Sequence, residues 1–315
     1  MGFSKDVDLL NPVLFLIGLL CVLCLPSPGF PQESRPNEPQ AGRRVGKIAF
    51  SSSLGGNWQV RVMNPDGTEP VPLTKGSEDF HHPAWSPDGC RLALVTGSGE
   101  IKILESDGGL RDLPNLPENC SHPSWSPDGL RLVFSCSDFA GRKEDSDLWV
   151  TNFTDGKVQK LLDQPGIQKY PHWSSDGQKI IYTSGYRVGA SEIIEELWVV
   201  NADGTHPLQL LANRGSSIQP RWSPDGKRIA FASDRSGNME IWIMGRDGQN
   251  LKQLTADKAY AGDPEWSPDG ARICFASTRK GKLDVWVMDA DGGNPEQLTG
   301  RSDSNGESRE PNWAP

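Results

Sequence analysis

The sequence predicts an all-β protein: a six-bladed β-propeller of four-stranded antiparallel blades, closed by a C-terminal strand that completes the N-terminal blade. Three observations carry this. First, Trp85, Trp125, Trp173, Trp222, Trp266 and Trp313 each stand two residues after a proline, at spacings of 40, 48, 49, 44 and 47, a period in the range of propeller blades and other repeat arrays. Second, the segment between successive tryptophans has the turn signals and short apolar runs of four strands, with no helical periodicity. Third, the two ends of the repeat are complementary, because residues 46–74 offer three strands with no WSPDG before them and EPNWAP at the C-terminus offers one strand with nothing after it. Pairing the spare strand with the incomplete blade removes the exposed edges that an open ring would present.

Each element follows from its residues. The tryptophan ends an innermost strand and supplies the large apolar surface that one blade needs against the next. SPDG then makes a hairpin turn, with Pro pre-set for its second position and Gly accepting the left-handed conformation. This gives the pentapeptide a structural role and leaves it no catalytic one: no histidine recurs at a fixed offset from its serines, and a triad needs a single copy. A basic residue and a β-rich run follow, as RLALV from Arg91, RLVFS from Arg131, KIIYT from Lys179, RIAFA from Arg228 and RICFA from Arg272. Variable loops come next, the longest being Asp138–Asp147 and Gly185–Glu196. A third strand recurs around Trp149, Trp198, Trp242 and Trp286, with IKIL at Ile101–Leu104 in the shortest unit. An Asp-Gly turn leads to the last short strand, and this repeated turn also accounts for DADGGN at Asp289–Asn294, which lacks the following acidic ligand of a calcium loop.

The N-terminus is different in kind. Pro12–Leu25 is an uncharged apolar run, followed by small residues at Ser27 and Gly29 and then by a polar, proline-rich stretch. Residues 1–29 are expected to be a signal peptide or an N-terminal anchor, 30–45 a disordered linker, and 46–315 the propeller. Periplasmic or secreted localisation follows, with membrane anchoring through the uncleaved segment as the alternative. The protein carries 32 Lys and Arg against 41 Asp and Glu, a formal charge of −9, which argues against nucleic acid as a partner. A monomer is expected.

The pattern WSPDG-x-[RK]-[IL]-x-[FY], followed by [IL]-W-[VI]-x-x-x-DG and QLT, resembles the propeller repeat of the TolB-like family. The resemblance covers residues 46–315, the propeller part alone; the α/β domain that precedes the propeller in TolB has no counterpart in 1–45. It implies an exported, non-catalytic scaffold that mediates protein–protein interaction in the cell envelope and needs no cofactor. Similar repeats precede the catalytic domain of prolyl-oligopeptidase-like peptidases, but G-x-S-x-G does not occur here. Propeller-type oligogalacturonate lyases hold a divalent metal through histidines on a similar scaffold. The alternative they imply is a metal-dependent polysaccharide lyase-like or small-ligand-binding propeller, with a divalent cation in the channel held by His82, His122 and His172.

Because side chains alternate along a strand, the residues before and after each inner proline are expected opposite Pro and Trp, facing the central channel. In blade order these pairs are His82 and Ala84, His122 and Ser124, Tyr170 and His172, Gln219 and Arg221, Asp263 and Glu265, Glu310 and Asn312. Polar groups converging on an axis are the natural place for a ligand or a partner's side chain. Placing Ser126 opposite Leu130 sets Cys120 opposite Cys136, and a cross-strand disulfide is expected there in an oxidising compartment. Cys90 and Cys274 are expected to pack as small apolar groups.

Overall fold

The computed structural model describes residues 46–137, 145–188, 192–211, 215–300 and 306–315. The expected export segment, the linker and most of the Asp138–Asp147 loop lie outside the described residues. Within them are 24 strands and no helix, grouped as six blades of four. The first blade orders Ser308–Trp313, Ile48–Ser52, Gln59–Met63 and Val71–Pro72, so the C-terminal strand is its innermost member. The other five begin with innermost strands Phe80–Trp85, Cys120–Trp125, Ile167–Trp173, Ser217–Trp222 and Ala261–Trp266. The third and fourth blades are additionally joined by one parallel bridge, Ser146 to Ile167.

The core lies between the blades. Ala49, Val60 and Val62 of the first pack on Phe80, Leu92 and Leu94 of the second, and each later interface has a similar cluster. The last interface sets Cys274, Val285 and Val287 of the sixth blade against Ile48, Phe50 and Trp313 of the first. The apolar packing therefore runs through the joint between the chain's two ends. The basic residue after each WSPDG adds a cation–π contact across the interface: Arg91, Arg131 and Arg228 stand 4.6, 4.5 and 4.6 Å over the rings of Trp125, Trp173 and Trp266, and such contacts contribute about 0.5–2 kcal/mol.

SPDG is satisfied within itself. Ser223 Oγ donates to Asp225 Oδ1 at 2.6 Å and accepts the Arg228 N–H at 2.9 Å, while Asp225 Oδ1 accepts the Lys227 N–H at 3.1 Å, and the variant Ser174–Gly177, with Ser175 in place of proline, makes the same bonds. The serine hydroxyls hold the carboxyls of Asp128, Asp176 and Asp225 below the usual carboxylate range.

Two expectations are corrected here. Residues 185–188 and 192–196 are strand instead of loop: strands Lys179–Val188 and Glu192–Asn201 stay paired out to Val188 and Glu192, which leaves Tyr186 and Val188 exposed. The β-branched and aromatic residues of this insertion continue the ladder. Nor do the inner strands alternate simply. His82, His122, Tyr170, Gln219, Asp263 and Glu310 have φ between 49° and 56°, and in each strand the pairing register shifts across the X-Pro step. Each inner strand carries a bulge, with the residue before proline in the left-handed region.

The bulge also revises the disulfide argument. Cys120 and Cys136 are bonded, with Cα atoms 4.0 Å apart. At the turn, however, Ser126 N–H donates to Arg131 rather than to Leu130, which by itself would set Cys120 opposite Ser137. The one-residue shift between Ser121 and Ser124 restores the pair, so two single-residue deviations cancel. Cys274 is buried as expected, whereas Cys90 sits half-buried on its turn with Sγ 3.4 Å from Asp88 O. It follows the SPDG glycine, where the chain has not yet entered the packed strand. The cross-link spans 16 residues, a loop for which chain entropy gives about 3 kcal/mol. Cys120→Ala with Cys136→Ala is expected to lower Tm by roughly 5–10 °C in calorimetry, and an unchanged Tm would refute that contribution.

Candidate functional site: the channel throat

Proline lacks an N–H, so an inner strand can carry one only because its second edge faces the channel instead of another strand. The bulge at that proline turns the neighbouring amides toward the axis, and side chains of adjacent blades receive them. Glu310 Oε2 accepts the His82 N–H at 2.8 Å, Gln219 Oε1 accepts the Asp263 N–H at 2.9 Å, and the Glu310 N–H faces the Asp263 carboxylate. The residues after proline make a second ring of the same kind. Asn312 Oδ1, Ser124 Oγ and His172 Nδ1 accept the N–H groups of Trp85, Trp173 and Trp222, at 2.8, 3.3 and 3.2 Å. Arg221 has no acceptor to offer, and the Trp266 N–H turns to its own Glu265 Oε1 at 3.1 Å.

A cavity of about 100 Å³ lies on the axis, lined by His82, His122, Tyr170, His172, Arg221, Asp263 and Glu310 among others. Pro83, Pro123 and Pro311 also line it, contrary to the expectation that proline faces away, because the bulge breaks the two-residue alternation. Gln219 lies beside this cavity, bonded to Asp263 through both ends of its amide. Glu265 opens instead to a neighbouring, more apolar cavity of about 280 Å³ that Trp and Pro residues surround. Within the throat the first ring is two-sided. His82, His122 and Tyr170 form an aromatic arc, with centroids 4.3 and 4.1 Å apart, and Gln219, Asp263 and Glu310 form a hydrogen-bonded arc.

The histidines do not converge on one point. His82 Nδ1 is 3.2 Å from Glu310 Oε1, His122 Nδ1 is 2.8 Å from Ser121 Oγ, and His172 holds the Trp222 amide. Among the described residues no three His, Cys, Asp or Glu side chains are placed to share a metal ion.

The sequence matches the TolB beta propeller domain over residues 43–208 and 195–315. The chain belongs to this family. Two relatives are the Tol-Pal system protein TolB of Methylobacillus flagellatus, 38% identical over 50 residues, 16% of this chain and 12% of that protein, and that of Sodalis glossinidius, 31% identical over 80 residues, 23% and 19% respectively. Each match thus spans under a fifth of the relative's own length. TolB from Acinetobacter baumannii superposes with a TM-score of 0.72 at 23% identity, covering 86% of this chain and 67% of that one. A putative TolB from Agrobacterium tumefaciens gives 0.68 at 23% identity, covering 86% and 99%. These two likenesses concern the fold.

Beyond the residues flanking proline, the TolB-type throat includes residues without a repeated sequence signal. Arg309 lies 4.3 Å over the Trp58 ring and 3.2 Å from Glu310 Oε1, and the Tyr260 hydroxyl crowds Gly262 beside Gln219. They differ from blade to blade, so only their sequence adjacency to the ring could have marked them.

Burial pushes His82 down, against the pull of Glu310, and His122 and His172 well down. Burial, then the neighbouring Glu310, pushes the Asp263 carboxyl up to about 7. Glu310 is also desolvated, but His82, Arg309, the His82 amide and the Ser51 hydroxyl outweigh this and hold it below its ordinary value. The proton of this carboxyl pair therefore resides on Asp263. A carboxyl whose pKa is higher folded than unfolded binds more protons in the folded state, so its contribution is present at low pH and is lost as pH rises through the interval from about 4 to about 7. Asp263→Asn removes that loss. Its Tm relative to wild type is expected to climb between pH 5 and pH 8, and a pH-independent difference would contradict the assignment.

Proposed function

We propose that the chain is an exported, non-catalytic propeller that holds a protein partner in the cell envelope, with the channel throat as the principal contact. The observation that supports this most directly is the pair of stacked rings. Gln219, Asp263 and Glu310 in one ring and Asn312, Ser124 and His172 in the other are already committed to amides of neighbouring blades, which makes the throat a rigid, pre-organised surface of the kind that loses little entropy on association. Membership in the TolB beta propeller family adds to this, since relatives bear the name Tol-Pal system protein. Residues 1–29 direct export, to the periplasm or beyond it. No step of this reading requires a cofactor.

Pull-down from envelope extract with the full-length protein tests it. A partner retained by wild type is expected to be weakened at least about tenfold by Arg221→Ala, given the 1–3 kcal/mol typical of losing a partner to a charged group. Because Arg221 also binds Glu265 at 3.1 Å, Tm is measured in parallel and His82→Ala serves as a second variant. Retention of the partner by both folded variants would move the contact away from the throat.

A further inference from the structure

One repeated position on the third strand of the blades takes no part in the throat. Opposite Phe134, Tyr182, Phe231 and Phe275 of the adjacent strands stand Trp149, Trp198, Trp242 and Trp286. Each of these indoles packs into the core between its own blade and the one before. The first blade breaks the pattern, because opposite Phe50 stands Arg61. The spacing of the blades is nonetheless kept. A Cβ at Gly67, on the turn after this strand, would come within 2.6 Å of Leu298 O in the sixth blade, as Cβ atoms at Gly204 and Gly248 would come within 2.2 and 2.4 Å of Leu161 O and Leu210 O at two other interfaces. With the spacing held and the ring missing, a cavity of about 300 Å³ is left between the first and sixth blades. Phe50, Leu54, Met63, Pro70 and Leu298 wall it together with Arg61.

Arg61 brings a charge to an apolar space. Its guanidinium donates to Pro70 O at 3.3 Å. Among the described residues it has no carboxylate partner, and no acidic side chain lines the cavity. Burial pushes it below its ordinary value, with no neighbouring carboxylate to offset this. Lys102, at the equivalent position of the second blade, is paired with Asp112 at 3.1 Å. A partly buried cation without a counter-ion is unfavourable, and a guanidinium fork matches a carboxylate through two parallel hydrogen bonds. An apolar pocket with one orienting charge has the make-up of a small-molecule site, and its volume is at the lower end for one.

We propose that this cavity binds a small aryl carboxylate, whose ring takes the place of the missing indole and whose carboxylate pairs with Arg61. The cavity shares no lining residue with the throat, so the site goes beyond the partner-binding reading and does not depend on it.

The test is a titration of the full-length protein, labelled with [methyl-¹³C]methionine, with 2-naphthoate, and with 2-naphthalenemethanol as a neutral ligand of similar shape. Met63 lines the cavity, whereas Met244 and Met288, its equivalents in the fifth and sixth blades, lie in other interfaces. The Met63 methyl resonance is expected to move along a saturation curve with naphthoate while those of Met244 and Met288 stay. The alcohol is expected to bind at least about tenfold more weakly, and so is naphthoate to Arg61→Met, the scale of one charge-assisted hydrogen bond. Arg61→Trp restores the residue of the other blades and is expected to abolish binding. A Met63 resonance that naphthoate leaves in place would overturn the proposal. So would equal affinity for the alcohol, or unchanged affinity in folded Arg61→Met or Arg61→Trp. Should neither variant fold, the comparison of acid and alcohol on the wild type decides alone.

Discussion

Everything at the axis of this propeller depends on one backbone constraint, the proline in the middle of each innermost strand. Proline breaks the ladder at that point, and the residue before it takes the left-handed region at all six places, a conformation that costs a non-glycine residue on the order of 1–3 kcal/mol. It persists because both flanks are fixed. Ahead of the bulge the strand pairs with its neighbour in one register, and behind it the tryptophan and the SPDG turn lock the other. What the bulge releases is a set of amides pointing to the axis, and a buried amide without an acceptor is unfavourable by about 1–3 kcal/mol. The side chains lining the throat are thus chosen first by what their neighbours' backbones need.

The same repeat that creates this demand also supplies the rigidity to meet it. A tryptophan from each blade fills the interface to the previous one, and for Trp125, Trp173, Trp266 and Trp313 an arginine of that previous blade lies over its ring. Lys179 departs from this, bonding Asn201 of its own blade at 3.1 Å instead of a tryptophan ring. Blade-to-blade spacing is then set by apolar packing and stacked cations, so a cap on one blade meets the amide of the next without adjustment. The joint between the chain ends is subject to the same rules. Asn312 caps Trp85 across it, and Glu310 caps His82, so the C-terminal strand is bound both by its ladder to Ile48–Ser52 and by the throat.

Much of this was legible in the sequence, and what was not has a definite physical origin. Blade number, strand order and the closing strand follow from the tryptophan period and the complementary ends, because both encode packing that recurs. The convergence of His82, His122, Tyr170 and Glu310 on the axis was also readable. The reason was not, since alternation predicts a flat strand and nothing in HHPAW announces a bulge. The Cys120–Cys136 register shows the limit well: the pair is found, although the turn and the bulge each differ by a residue from the simple pairing. The Gly185–Glu196 insertion was misjudged because a long hairpin and a long loop look alike when the only repeat to compare with is shorter. Arg309 and Tyr260 were missed because each occurs once.

The two arcs of the first ring show how such a scaffold can acquire a specific surface without altering its fold. A residue before proline caps the amide of the next blade, so its identity determines the chemistry one position further round. Gln219, Asp263 and Glu310 satisfy their neighbours and leave a closed, hydrogen-bonded wall. His82, His122 and Tyr170 instead pack against one another. The strand geometry is nonetheless the same on both sides, as the matching φ values show. The residue before proline therefore sets what the following blade's amide meets while its own backbone stays the same.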